Sequence, residues 1–156
     1  MIRVQSEPFD PGAETNRFLS DNPNSGGIAT FIGQVRDFHT NTETPEQKIS
    51  DLELEHYPGM TEKELDRICS EALSRWPLDD TLVVHRYGAM QPGDAIVMVC
   101  TASAHRDAAF EACEFIMDWL KTNAPFWKRE QTTSGTSWVD AKKSDDQRTA
   151  RWTESD

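Results

Sequence analysis

The chain has few cysteines, little positive charge and no long apolar run. Cys69, Cys100 and Cys113 are odd in number and too far apart for a CxxC pair, which argues against a disulfide framework and a zinc-ribbon site. Each sits at an apolar position, as core cysteines do. No stretch of 18 or more apolar residues occurs, and the N-terminal "MIRVQSEPFD" has no basic region followed by an apolar one. The expectation is a soluble, unexported chain in a reducing cytoplasm. Sixteen Lys and Arg against 27 Asp and Glu give a net charge of −11, so no broad attraction to nucleic acid or to an anionic membrane is expected. GxSxG, P-loop and HExxH motifs are missing. His39, His56, His85 and His105 with the three cysteines match no common ligand spacing, so no metal site is expected. No internal repeat or low-complexity segment is present, and 156 residues suit one domain.

What the chain does contain is a neutral third inside an acidic body. From Thr101 to Lys143, Arg106, Lys121, Lys128, Arg129, Lys142 and Lys143 balance Asp107, Glu111, Glu114, Asp118, Glu130 and Asp140. A local cationic pocket for a small anion fits this distribution, and so do solvated helix faces. The pattern predicts a strand at "MIRV", a helix over "DPGAETNRFLSD" with Pro11 near its start, and a strand over "GIATFIGQVRDF". The polar, aperiodic "HTNTETPEQKIS" predicts a mobile loop, about 38–50. "DLELEHY" alternates like a half-buried strand. Thr61 and Glu64 form a capping-box signature before a helix whose apolar face holds Leu65, Ile68, Cys69, Ala72 and Trp76. Two strands buried on both faces, "DTLVVHRYG" and "DAIVMVCTA", flank the turn "AMQPG". A long helix, "HRDAAFEACEFIMDWLKTN", ends before Pro125. "FWKREQTT" and "TSWVDA" close the domain around Gly135, leaving 142–156 as a charged tail after a domain over 1–141. With no glycine-rich nucleotide loop, a mixed α+β sandwich fits better than a dinucleotide fold.

Four sets of residues draw attention as chemistry. His85-Arg86 and His105-Arg106 fall at element edges, the second pair in the first turn of the long helix, where unpaired N–H groups and the dipole favour an anion. Arg106 serves equally well as the partner of a nearby carboxylate, with His105 satisfying a backbone group. Lys121 lies in the last turn of that helix, where a cation complements the dipole in any case. Lys128, in "PFWKRE", stands beside bulky Phe126 and Trp127, and apolar walls would desolvate it and favour acid, base or nucleophilic use. Arg106 and Lys121 are 15 residues apart on one helix, about 22 Å. One small ligand cannot touch both within one chain, so a shared site predicts a symmetric dimer.

Five segments, "GGIATFIGQVRDF", "LELEHYPGM", "VVHRYGAMQPGDAIVMV", "SAHRDAAFEACEFIMDWLKTNAPFWKRE" and "WVDA", run in order from about residue 26 to 141. Together they resemble the large, catalytic subunit of molybdopterin synthase, the MoaE-type family. The resemblance implies a single-domain α+β fold, hammerhead-like, with a mixed, mainly antiparallel sheet packed with helices. It implies a sulfurtransferase that inserts two sulfurs into cyclic pyranopterin monophosphate to make the molybdopterin dithiolene. Sulfur would arrive as a thiocarboxylate on the C-terminal Gly-Gly of a small ubiquitin-like partner, in a heterotetramer built on a homodimer of this chain. Lys121 and Lys128 match the family's two essential lysines. Arg36 and the pair His105-Arg106 match its other pocket residues, the pair reaching in from the neighbouring subunit. Phe31 and Met117 would line the pocket, and both read equally well as core. Lys142 stands where an arginine is expected, and lysine lacks that residue's bidentate fork. No metal or organic cofactor is implied for this step, since molybdenum is inserted later. Two other classes stay open at this point: a non-enzymatic module that docks the ubiquitin-like partner, and a phosphate-ester hydrolase using His105 and Asp107.

Overall fold

The computed structural model describes residues 1–36, 49–132, 135–139 and 143–153. They form eight strands and four helices in the order β1 (Ile2–Gln5), α1 (Pro11–Asp21), β2 (Gly27–Gln34), β3 (Ile49–His56), α2 (Met60–Arg75), β4 (Leu78–Arg86), β5 (Gly88–Met90), β6 (Ala95–Ser103), α3 (Arg106–Asn123), β7 (Phe126–Thr132), β8 (Gly135–Val139) and α4 (Lys143–Thr153). The strands divide into two four-stranded sheets, β1-β4-β6-β2 and β5-β3-β7-β8. Every pairing is antiparallel except β1 with β4.

The hydrophobic pattern explains the layering. β4 and β6 are apolar on both faces because both are covered. One face packs on α2 and α3 through Leu65, Ile68, Val83, Val97, Val99, Phe115 and Ile116. The other packs on α1, where Phe18 meets Leu82, Val84, Met98 and Cys100. Asp10 caps α1 by accepting the N–H groups of Gly12 (2.8 Å) and Ala13 (3.1 Å), with Pro11 in the first turn. The second sheet has its own small core of Val35, Leu52, Leu54 and Met90. All three cysteines are buried thiols.

Gly26 shows how tightly β2 meets the start of α3. A Cβ built there would stand 2.1 Å from the Ala104 carbonyl oxygen, a backbone atom that cannot swing aside. We expect Gly26→Ala to destabilise the fold by about 2–3 kcal/mol, read as a lower urea midpoint with unchanged slope.

Three expectations are corrected. The capping box at α2 is not Thr61 with Glu64: Gly59, at φ +81°, is the N-cap, and its N–H donates to Glu62 Oε2 (2.7 Å). Glu64 instead pairs with Arg67, and Thr61 is drawn inward. A short strand, β5, runs from Gly88 into the segment read as a turn, because Met90 is buried beside Leu52. Residues 143–153, read as a charged tail, form α4. Its Arg151 and Trp152 both donate to the buried Asp118 of α3, at 2.8 and 2.9 Å. Trp152 also packs edge-on against Trp76 and Phe115. Local composition hid this helix because a few contacts, not its charged face, hold it down. Most of the expected mobile loop, residues 38–48, lies outside the described residues, and Ile49 and Ser50 open β3.

Candidate active site

α3 positions the first lysine. Lys121 is exposed in its last turn and, among the described residues, is paired with no carboxylate. The helix stops because Ala124 precedes a proline and must leave the helical region; it adopts φ −69°, ψ 127°. The Phe126 N–H then closes a tight turn onto the Ala124 carbonyl at 2.8 Å, and β7 begins.

Strand alternation positions the second. Phe126, Lys128 and Glu130 share one face of β7, opposite His56, Leu54 and Leu52 of β3. Phe126 stacks on His85 (centroids 3.8 Å apart) and so ties β7 to β4 of the other sheet. Trp127 points to the opposite face and is exposed. The apolar surroundings expected of Lys128 are therefore only partial. Leu54 and Val139 oppose it across the strands, but its ammonium pairs with Glu130, with Nζ 2.6 Å from Oε1. Lys128 is 37% exposed and the Glu130 carboxylate 1%. Sequence reasoning passed over Glu130, although its spacing of two from Lys128 on a strand places both side chains on one face.

The two His-Arg pairs separate in role. His85 and Arg86 are consumed by the fold: His85 Nδ1 lies 2.8 Å from the Arg86 carbonyl, and the Arg86 guanidinium donates twice to the Ser6 carbonyl. Burial pushes the His85 imidazole down to about 4, opposed in part by the Arg86 carbonyl. A base whose folded pKa lies below its unfolded value stabilises the fold above about pH 6.5 and loses that contribution as pH falls towards 4. We expect urea unfolding to register a loss of up to about 3 kcal/mol across that window, and His85→Phe to flatten this part of the profile. His105, by contrast, is the exposed N-cap of α3 and makes no side-chain cap bond. Arg106 extends into solvent, with Nε 3.7 Å from an equally exposed Asp107. A pair so exposed contributes little to stability.

Topology decides which residues meet. α3 packs along β2, and Gly27 at the start of β2 would place a Cβ 3.4 Å from the Arg106 backbone. Both elements leave that end antiparallel to β6, and both are about 26–27 Å long. The far end therefore collects Arg36, just beyond β2, together with Lys121 and the turn leading to Lys128. Met117 lies one turn before Lys121 and is buried in the core. Phe31, 41% exposed, shares its face of β2 with Ala29, opposite Val99. His105 and Arg106 remain at the near end. Lys142 lies outside the described residues. Among the described residues no three His, Cys, Asp or Glu side chains converge as metal ligands, and no helix is long and apolar enough to cross a membrane.

Comparison with known families finds one whose model, described as MoaE protein, matches residues 4–123. The molybdopterin synthase catalytic subunit of Ralstonia nicotianae is 52% identical over 151 residues, covering 97% of this chain and 83% of its own. The chain belongs to the MoaE family. A second relative with the same description, from Pseudomonas aeruginosa, is 50% identical over 153 residues and covers 98% of this chain and 99% of its own. Among solved structures, a molybdopterin biosynthesis MoaE protein from Burkholderia ambifaria superposes with a TM-score of 0.81 at 49% identity, over 98% of this chain and 97% of that one. Molybdopterin synthase from Staphylococcus aureus superposes at 0.78 and 33% identity, over 88% and 96%. The MoaE match ends at Asn123, inside the segment joining the two lysines, whereas the full-length relatives extend beyond it.

Proposed function

We propose that this chain is the catalytic subunit of a molybdopterin synthase acting in the cytoplasm. It transfers two sulfurs from the thiocarboxylated C-terminus of a small ubiquitin-like partner to cyclic pyranopterin monophosphate, forming the dithiolene. The names of relatives near 50% identity support the activity. The observation that carries the assignment to this end of the molecule is the exposed Lys121, with no carboxylate partner among the described residues, joined by one short turn to the strand holding Lys128.

The residue types suit the chemistry. A thiocarboxylate and a cyclic phosphate are both anions, and each transfer develops an oxyanion and requires a protonated leaving group. Lys121 supplies acid-base or covalent chemistry at the substrate, and Lys128 receives the thiocarboxylate terminus. Arg36 contacts phosphate or pterin, with Phe31 and Met117 as apolar lining. His105 and Arg106, at the opposite, N-terminal end of α3 from Lys121, complete the site of the neighbouring subunit in a homodimer, the core of a heterotetramer. Lys142, as a phosphate contact, would act as a point charge rather than a fork.

The test is a single turnover with cyclic pyranopterin monophosphate and the thiocarboxylated partner. Dithiolene product is expected with the thiocarboxylate and none with the ordinary carboxylate. A folded, partner-competent protein that forms no product would overturn the reading in favour of a docking module. Phosphate release without any sulfur donor would instead favour a hydrolase.

A further inference from the structure

Thr61 occupies the second turn-forming position of α2 yet does not cap it. Its side chain is 0% exposed. The hydroxyl accepts the Tyr57 N–H at 3.1 Å and donates to the Pro125 carbonyl at 3.2 Å, 64 residues away. Pro125 lies between Lys121 and Lys128. The connection between those lysines is fixed from three sides: by the Phe126–Ala124 turn, by the Phe126–His85 stack, and by this hydroxyl. The first is internal to the connection and the second holds its strand end. Thr61 anchors the proline itself to a different part of the fold, the β3–α2 junction.

We infer that Thr61 is a positioning residue for the sulfur-transfer site, setting where the end of α3 presents Lys121 relative to Lys128. The inference rests on the proposed function for its catalytic consequence, but not for its structural one. A hydroxyl wholly shielded from water has no solvent replacement when lost, and both of its backbone partners are then left without it. An error of about an ångström between reacting groups is enough to cost one to two orders of magnitude in rate.

The experiment compares wild type with Thr61→Val, which keeps the shape without the hydroxyl, and Thr61→Ser, which keeps the hydroxyl. Ile68→Val, elsewhere on α2, controls for general loss of stability. At saturating substrate and partner, Thr61→Val should slow single-turnover product formation about tenfold or more with half-saturating substrate nearly unchanged, while Thr61→Ser stays within about threefold of wild type. Amide exchange over residues 122–128 should accelerate about tenfold in Thr61→Val and remain slow in Thr61→Ser and Ile68→Val. If Thr61→Val does not fold, Thr61→Cys, a weaker donor of similar size, should fall between Ser and wild type on one side and a null rate on the other. Unchanged exchange in a folded Val or Cys variant overturns the inference, and so does faster exchange with a wild-type rate. An inactive wild type with the expected exchange pattern overturns the proposed function and leaves the anchoring role of Thr61 supported.

Discussion

Lys121→Ala is expected to lower single-turnover dithiolene formation by about 10²–10⁴-fold, the range that a positioned acid or base contributes. Fold and partner affinity should be nearly unaffected. Lys121 is exposed, ends a helix and pairs with no carboxylate among the described residues. Removing it costs little beyond a favourable dipole interaction of about 0.3–1 kcal/mol. A large rate loss with normal denaturant unfolding and normal partner binding therefore reports chemistry. Equal losses of rate and partner affinity would instead mark Lys121 as a docking residue. The dimer reading adds a second arm. Arg106→Ala should also be slow if Arg106 completes the neighbouring site, and it should fold normally, since its side chain is exposed and pairs only with an equally exposed Asp107 among the described residues. Mixing the two inactive variants and allowing subunits to exchange should restore about a quarter of wild-type activity, because half the dimers are mixed and each carries one intact site. No recovery after demonstrated exchange would mean that Arg106 does not complete the neighbouring subunit's site.

Lys128→Ala should combine a similar rate loss with a clear loss of stability. Its ammonium sits 2.6 Å from a carboxylate that is 1% exposed, and deleting one partner leaves the other charge buried with less compensation. Breaking a fully buried pair typically costs about 3–5 kcal/mol; with Lys128 more than a third exposed, we expect about 2 kcal/mol, read from urea midpoints. The double variant Lys128→Ala with Glu130→Gln should recover much of that stability without recovering activity. Recovery of both would mean that Lys128 serves the fold alone. The contrast between the two lysines matters for any mutational study of this site. Activity lost at Lys121 can be read directly, whereas at Lys128 it must first be separated from unfolding.

Much of this organisation was legible in the residues. Periodicity located α2 and α3, which bury apolar faces, and α1 and most strands followed from turn residues such as Pro11 and the glycines, with Pro125 marking the end of α3. β4 and β6 were readable as doubly covered because their apolar runs do not alternate. α4 and β5 were not, because neither carries a strong local pattern. α4 is held by Asp118, Trp76 and Phe115, all distant in sequence. Thr61 was misread for a related reason. Its sequence neighbours suggest a cap, but a hydroxyl takes the partner that burial brings to it, here the Pro125 carbonyl.

The candidate site divides along the same line. By itself the sequence determined the residue types, the separation of Arg106 from Lys121 along one helix, and through its motifs the family. These follow from covalent order and helix rise, which no tertiary contact can alter. Only the tertiary structure decided that Arg36 and Lys121 lie at one end of the β2–α3 layer, that Lys128 faces inward beside Glu130 while Trp127 faces out, and that His85 belongs to the core. Those outcomes depend on which strands pair and in what register, and a shift of one residue would exchange every inward side chain of β7 for an outward one.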